Sequence, residues 1–296
     1  MVGSKLSKTG VGEHVFDAAN ILGMALFCFS AVYPFLYLLA LSFEHPSSSL
    51  LVVRLWPERF YLGSYAKVFK SGLIGYGFVN SIFRTVVGSS LSLIVSCCLA
   101  YPLSKRYLPN RTFWMGFIVF TMFFSGGLVP TYLLVKNLGL LDSRWSMILP
   151  GLVPTFTMII IRNYFMTLPE SIEESAKLDG ANDITILFRI VVPMSTSIIA
   201  TAILWDAVGH WNAWFDCLIY INTTKKQVLQ LMLRRLVIEG SQEMVELDSQ
   251  MADLVQANPE TIKAATIMVV TLPIIILYPF LQKYFVKGIV VGSLKG

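Results

Sequence analysis

The sequence predicts an all-α membrane protein with six transmembrane helices. The first observation behind this prediction is composition, because 55% of the 296 residues are apolar and only 14% are charged, whereas soluble domains usually carry about 25% charged residues. The second is that apolar runs of roughly 17–25 residues, long enough to cross a bilayer, recur along the chain. A large soluble helical bundle would need charged helix faces, and these runs have few charges.

The predicted spans divide the chain into one membrane domain and its connections. The six apolar segments cover about 18–43, 80–103, 113–135, 146–165, 194–219 and 265–285. Residues 1–17 are predicted to be an N-terminal tail and residues 18–296 the membrane domain, which ends in a tail at 287–296. The loop at 104–112 is short and basic, and the loop at 222–264 is the longest.

The positive charges give a weak orientation signal. With the N-terminus placed inside, the lysines and arginines divide equally between the two sides. Short loops carry more weight in the positive-inside rule, which favours a cytoplasmic position for the loop around Lys105 and therefore for both termini. No basic stripe with interleaved aromatic residues is present, so nucleic-acid binding is not predicted.

The polar stretch at 167–193 is predicted to form a helix-turn-helix elbow. Thr167 is expected to cap a helix over residues 169–179, and Gly180 to end it, because glycine adopts the reversed turn without strain. Asn182 and Asp183 are good caps for a second helix. Four residues are predicted to share one face of that helix: Ile184, Leu187, Ile190 and Val191. Pro193 marks the entry into the next span. The alternative, an ordinary solvated loop, would not need these caps and small residues.

Polar and aromatic residues in the spans form a candidate solute pathway. Asp206 and His210 lie four residues apart on one helical face, and ionisable residues in a span usually face a bundle interior or cavity. The full set is Arg84, Asp206, His210, Trp211, Asn212 and Trp214. The alternatives are an interfacial aromatic belt and a hydrogen bond between Asp206 and His210. Arg84 could contact an anionic sugar carboxylate or snorkel to the outer headgroups.

The absence of several motifs from the sequence reduces the number of functions that are predicted for the protein. The spans contain no His-Glu-x-x-His, no Gly-x-Ser-x-Gly and no paired catalytic carboxylates, so neither catalytic residues nor a metal site is predicted. No Gly-x-x-x-x-Gly-Lys loop is present to bind ATP. Half of an ion-coupled secondary transporter is an alternative, but it predicts proton-relay carboxylates in several spans, and Asp206 is the only acidic residue well inside one.

One motif resembles a known family. The run Glu174-Ser175-Ala176, then Asp179-Gly180-Ala181, then a hydrophobic stretch ending at Pro193, resembles the cytoplasmic coupling loop of bacterial ABC importer permeases. The wider similarity covers 126–132, 138–140, 148–151, 162–165, 211–214 and 285–294, and it indicates the second permease of the maltose-type carbohydrate importers. Within that family, the sequence is similar to the branch for oligosaccharides and polysaccharide fragments such as alginate. Ser175 and Ser197 depart from the alanine and proline that are common in the family.

The resemblance implies a non-catalytic subunit that forms half of a pore in the bacterial inner membrane and moves a sugar by alternating access. The implied ATPase-coupling residues are Glu173, Glu174, Ser175, Ala176, Asp179, Gly180, Ala181, Phe188 and Pro193. The implied partners are a homologous second permease in a heterodimer, two ATPase subunits that bind ATP and Mg, and a periplasmic or extracellular solute-binding protein. The loop at 222–264 would reach toward the binding protein, and the tail at 287–296 would enter the ATPase interface. The 211–214 motif argues against a peptide, phosphate or amino-acid cargo.

Overall fold

The computed structural model describes residues 11–45, 55–70, 72–239 and 259–293, and nearly all regular structure in these ranges is helical. The helices are α1 (Val11–Ser42), α2 (Gly63–Lys70), α3 (Gly72–Ser104), α4 (Arg111–Phe123), α5 (Leu128–Asn137), α6 (Thr155–Phe165), α7 (Glu170–Leu178), α8 (Asp183–Ile186), α9 (Val192–Met194), α10 (Thr196–Asn212), α11 (Phe215–Tyr220), α12 (Leu229–Arg234) and α13 (Pro259–Ser293). Short 3₁₀ turns and two π-helical turns, Leu187–Val191 and Arg235–Glu239, connect some of them.

The predicted all-α membrane class is confirmed. Among the described residues, α1 and α3 are each long and apolar enough to cross a bilayer, and three bent pairs would raise the number of spans to five. The bent pairs are α4 with α5 at 108°, the turns at 144–151 with α6 at 51°, and 183–194 with α10 at 89°. The 35-residue helix α13 lies where the sixth span is predicted.

Several predicted boundaries are wrong. The spans predicted at 113–135 and 146–165 are not continuous helices. Gly127 has a φ of +90°, a conformation that only glycine adopts freely, and it separates α4 from α5. Pro154 precedes α6 in an extended conformation. The first helix begins at residue 11 and the last at residue 259, so the tail predicted at 1–17 and the loop predicted at 222–264 are both partly helical. Residues 1–10, 240–258 and 294–296 lie outside the described residues.

The chain divides into two compact units, residues 1–70 with 245–268, and residues 71–244 with 269–296. In the first unit, Ser64 donates a hydrogen bond to Thr261 over 3.4 Å at the start of α13, beside the buried Val68 and Ile262. Phe43 stacks on Phe60 with 4.7 Å between ring centroids.

Helix α3 is the central element of the second unit and packs against α6, α10 and α12. A buried apolar cluster surrounds its C-terminal end and joins it to α6 and to the predicted elbow. Its members include Ala100, Leu103, Met158, Ile161, Phe165, Ile186, Leu187 and Val191. Helix α4 has no buried residue, and its exposed side chains are largely apolar. Because Ile186, Leu187 and Val191 belong to the buried cluster, the elbow packs on the same core as the C-terminal end of α3.

Candidate functional site

The turn between α7 and α8 has the geometry predicted from its glycine. Gly180 has a φ of +83°. Its N–H donates to the Lys177 carbonyl over 3.0 Å, and the Ala181 N–H donates to the Ala176 carbonyl over 2.9 Å. This pair of bonds is a Schellman motif, which satisfies carbonyls at a helix C-terminus. The two short helices are thus joined by a defined turn.

The helix starts agree only in part with the sequence predictions. The Asn182 carboxamide oxygen accepts from the Thr185 N–H over 2.8 Å, so the cap of the second helix is confirmed. The cap predicted at Thr167 is wrong, because its hydroxyl donates to the Tyr164 carbonyl and Pro169 occupies the cap position.

The apolar face predicted for the second helix is also partly wrong. Ile184 is exposed, while Ile186, Leu187 and Val191 are buried. The backbone over 187–191 is π-helical, with more residues per turn than an α-helix. Ile184 precedes this turn and lies at the exposed start of α8, whereas Leu187 and Val191, inside the turn, are buried as predicted.

Glu173 ties α7 to the end of α3. Its carboxylate pairs with the Lys105 ammonium through both oxygens and accepts a hydrogen bond from the Tyr101 hydroxyl over 3.1 Å. The Lys105 and Glu173 side chains are each only 12% exposed. Glu173 is one of the predicted coupling residues, and in the structure its side chain points into its own chain and anchors the elbow.

A second contact set joins the two arms of the elbow. The Lys177 ammonium lies 3.3 Å from the Tyr107 hydroxyl and 3.2 Å from an Asp183 carboxylate oxygen. The hydrogen bonds with Tyr107 and Asp183 raise the pKa of Lys177, so the side chain stays charged at neutral pH. The elbow is thereby held on one side by the connection between α3 and α4.

The remaining predicted coupling residues divide into an inward and an outward group. Ala176 and Ala181 are partly buried and pack against the apolar cluster, so their small size serves packing within the chain. The outward residues of the predicted set are Glu174, Ser175, Asp179, Gly180 and Phe188, and two apolar residues outside that set, Leu178 and Ile184, are exposed beside them. Leu178 is 90% exposed and Ile184 is 71% exposed. Apolar side chains held so far from any packing partner in a folded turn are typical of an interaction surface. Pro193 is also exposed and lies inside α9.

The N-terminal part of α3 holds a different network. The Arg84 guanidinium pairs with both carboxylate oxygens of Asp216 and donates to the Ala213 carbonyl over 3.0 Å. Arg84 is only 3% exposed, so the alternative in which it snorkels to headgroups is wrong. Its Nη1 and Nη2 atoms donate to Asp216 and to the Ala213 carbonyl, whereas its Nε atom is buried without a hydrogen-bond partner among the described residues.

Two neighbours of Arg84 fix the segment after α11. The Asn80 amide donates to the carbonyls of Lys225 and Gln227 over 2.8 and 3.0 Å. The Ser81 hydroxyl accepts from the Leu229 N–H over 2.9 Å. The described first part of the loop predicted at 222–264 is therefore packed on α3, and the reach of this loop toward a binding protein stays a prediction.

The polar residues of α10 approach α3 closely at Gly88. A Cβ atom at Gly88 would lie 2.7 Å from His210 Nε2, so glycine makes room for the imidazole. Asp206 lies one turn earlier on α10, and its Oδ2 atom is buried without a hydrogen-bond partner among the described residues. The predicted hydrogen bond between Asp206 and His210 does not account for that oxygen.

The aromatic residues of the 211–214 motif have packing partners. Trp211 is buried, donates from Nε1 to the Val270 carbonyl over 3.2 Å and meets Phe78 edge-on. The Arg234 guanidinium carbon lies 3.8 Å from the centre of the Trp214 ring. Asn212 is exposed. A solute contact by residues of the predicted pathway remains a prediction, and Trp211 is only 6% exposed in this structure.

Asp142 holds the segment at 222–226 in place, through contacts that the sequence did not predict. It adopts a φ of +56°, and its carboxylate accepts from the N–H groups of Asn222 and Thr223 and from the Lys226 ammonium, the last over 2.6 Å. Burial acts to raise the pKa of Asp142, but the hydrogen bonds from Lys226 and Thr223 outweigh it and lower that pKa to about 2.

Sequence reasoning missed the partners of the charged residues that it singled out. Lys105, Tyr101 and Asp216 each lie far along the chain from the residue they bind, 68 positions for Lys105 and 132 for Asp216. One signal was present: an arginine inside an apolar span needs a counter-ion, and Asp216 is one of only two acidic residues near the fifth span.

The comparisons with known proteins agree with this architecture. Residues 106–291 match the family described as binding-protein-dependent transport system inner membrane component. The chain is 41% identical, over 96% of its length and 99% of the relative, to the polygalacturonan/rhamnogalacturonan transport system permease protein of Bacillus subtilis. It is 43% identical to protein LplC of the same organism, over 95% of each chain. A crystal structure of a bacterial ABC transporter involved in the import of the acidic polysaccharide alginate contains a chain with 30% identity and a TM-score of 0.87, covering 94% of this chain and 99% of that one.

Proposed function

The chain belongs to the binding-protein-dependent transport system inner membrane components, and from this we propose that it is the permease subunit of an ATP-driven importer for an oligosaccharide or polysaccharide fragment. Two relatives that cover nearly the whole chain carry polysaccharide cargo in their names, polygalacturonan or rhamnogalacturonan for one and alginate for the other. Because alginate is named as acidic, acidic fragments are included in the proposal. The alternative of a secondary transporter half has no such support.

The proposed partners are those that the family of binding-protein-dependent transport components implies. A homologous second permease completes the pore as a heterodimer, and two ATPase subunits bind ATP and Mg and perform the hydrolysis. A periplasmic or extracellular solute-binding protein delivers the sugar. Both termini and the elbow lie on the cytoplasmic side of the inner membrane, and the segment around 222–239 lies on the outer side. No catalysis and no nucleic-acid binding are assigned to this chain.

The observation that carries the proposal is the two-sided elbow. On one side Glu173 and Lys177 tie it to the connection after α3. On the other side Glu174, Leu178 and Asp179 are exposed on a turn of fixed geometry. A partner that moves this elbow also moves α3, α6 and the 187–191 turn, because all of them share one buried cluster. The elbow therefore converts a displacement outside the membrane into a helix movement inside it.

The test is site-specific crosslinking of the complete transporter in membrane vesicles. Cys28, Cys97, Cys98 and Cys217 are first replaced, and one cysteine is then introduced as Ser175→Cys in the elbow. The matched control is Asn222→Cys, which is equally exposed but lies on the other proposed side. We expect Ser175→Cys to crosslink to an ATPase subunit and Asn222→Cys to react only with an impermeant thiol reagent added from outside.

Two results would contradict the proposal. An ATPase crosslink from the Asn222→Cys protein would reverse the orientation. Failure of the Ser175→Cys protein to reach an ATPase, while its thiol is accessible from the cytoplasmic side, would remove the coupling role of the elbow.

A further inference from the structure

An open pocket of about 670 Å³ lies beside the connection between α3 and α4. Three arginines line it: Arg106 on the connection, Arg111 at the start of α4 and Arg162 near the end of α6. None of the described residues that line it is acidic. Arg111 lies close enough to Arg162 for their charges to repel each other. Three positive charges without a counter-charge are stabilised by an anion.

The hydrogen bonds of these arginines leave donors for a ligand. Arg162 is oriented by bonds from Nε to the Leu103 carbonyl over 3.1 Å and from Nη1 to the Asn163 side chain over 2.8 Å. Within the described chain, the hydrogen-bonding contact of Arg111 is from Nη2 to the Met166 sulfur, at 3.7 Å, and sulfur is a weak acceptor. Guanidinium groups bind phosphate through paired N–H donors, so this set suits a phosphate group.

The backbone at the pocket adds donors of the same kind. Asn110 precedes α4 with a φ of +54° and makes no side-chain cap. The N–H groups of the first turn of this 13-residue helix are therefore uncapped beside the arginines, and a helix N-terminus favours an anion.

The surface next to the pocket distinguishes a lipid from a soluble anion. Phe113, Trp114 and Phe117 follow Arg111 on α4 and are all exposed, and α4 buries none of its residues. A phosphate in the pocket would lie at the end of an apolar helix surface long enough to contact acyl chains. Aromatic residues beside arginines at a span end are typical of the membrane interface.

We propose that this pocket binds the phosphate of an anionic phospholipid, with Arg106, Arg111 and Arg162 around the headgroup and the α4 surface along its chains. The site is separate from the coupling role of the elbow, and it requires only that α4 lies in the membrane.

The test is native mass spectrometry of the intact transporter titrated with phosphatidylglycerol or phosphatidylcholine. We expect a preference for phosphatidylglycerol that falls roughly fivefold for each arginine lost, as expected for about 1 kcal/mol per charge near a membrane surface. The variants are Arg106→Gln and Arg111→Gln, alone and together. The charge-matched control is Lys136→Gln, an exposed lysine in the last turn of α5. The double variant Arg106→Lys with Arg111→Lys should keep most of the preference and shows that the fold is retained.

Each other outcome would overturn the proposal. Equal binding of the two lipids, or an unchanged preference in the double glutamine variant, would show that the pocket does not select the headgroup. Displacement of phosphatidylglycerol by inorganic phosphate would assign the pocket to a soluble anion. Loss of the ATPase subunit from the double variant, without a change in lipid preference, would assign these arginines to the ATPase.

Discussion

The two ends of α3 are both tied to distant segments, but by bonds of different kinds. At the N-terminal end, Asn80, Ser81 and Arg84 bond mainly to backbone groups between 213 and 229. At the C-terminal end, Tyr101 and Lys105 bond to one side chain, that of Glu173. Bonds to backbone fix the path of a loop, whereas a pair of side chains fixes one point and fails when either partner changes.

This difference in bonding indicates that the two ends of α3 have different roles. A 33-residue helix is roughly 50 Å long, so α3 can carry a displacement between its ends. The N-terminal network holds its loop in one shape, and the Glu173 contacts at the other end hold the elbow that is proposed to follow a partner. We therefore expect damage at the N-terminal end to reduce stability and damage at the C-terminal end to reduce coupling.

The largest effect is expected from Arg84→Met. This change leaves the Asp216 carboxylate without its cation, and breaking a buried pair costs about 3–5 kcal/mol. Because Asp216 is 28% exposed, we expect a loss of about 2–3 kcal/mol. Thermal unfolding of the purified complex measures it. The double variant Arg84→Met with Asp216→Leu should regain most of the loss, and a double variant as unstable as the single one would contradict this account of the network.

The next effect is expected from Gly180→Leu at the opposite end. A Cβ atom there meets no heavy atom within 4 Å, so the cost arises from the left-handed backbone and is about 1–2 kcal/mol. We expect the protein to remain in the membrane while ATP hydrolysis is uncoupled from transport. Sugar uptake per ATP hydrolysed in vesicles measures this. Gly180→Asn is the control, because asparagine tolerates this conformation, and normal transport by Gly180→Leu would contradict the role of the turn.

A smaller and more local effect is expected from Glu173→Gln. The neutral side chain loses its ion pair with Lys105, and amide hydrogen exchange over 170–178 should become roughly tenfold faster, as expected for the loss of a hydrogen bond to a charged group. Glu174→Gln is the matched control, since Glu174 is exposed and its loss should leave exchange unchanged. Equal exchange in the two variants would show that Glu173 is not an anchor.

The smallest effect is expected from Asp142 and depends on pH. Its folded pKa of about 2 is lower than the ordinary value of about 3.9, so its contribution is complete above about pH 4 and is lost as the pH falls toward 2. The Lys226 side chain is 42% exposed, so the gain is about 1 kcal/mol at most. The difference in unfolding temperature between wild type and Asp142→Asn should shrink across that window, and a constant difference would contradict the assignment.

Local features of the fold could be predicted from the sequence because they depend on neighbouring residues. The positions of the six spans follow from runs of apolar residues, and the turn at Gly180 and the cap at Asn182 follow from backbone chemistry. The boundaries were less accurate, because the bend at Gly127 and the π-helical turn at 187–191 depend on how the segments pack. Ile184 was misplaced because it lies at the exposed start of α8, which its spacing from Leu187 does not reveal.

The long-range contacts of the site could not be predicted in the same way. The sequence identified Glu173 and Arg84 as charged residues of interest, but it did not show whether they face a partner, a solute or their own chain. That choice depends on Lys105 and Asp216, which are distant along the chain. Nor did the sequence show that Ala176, one of the implied coupling residues, packs its small side chain against the cluster.

The anchor of Glu173 has a consequence for exchanging parts between related transporters. The unit that would have to be transplanted to change the choice of ATPase is discontinuous, since residues 170–191 rely on Tyr101, Lys105 and Tyr107. A chimera that receives only residues 170–191 keeps the recipient's own residues at positions 101, 105 and 107, which are not matched to the donor's elbow. We expect hybrids that take residues 101–107 and 170–191 from one donor to couple ATP hydrolysis to transport, and hybrids that take only residues 170–191 to lose this coupling.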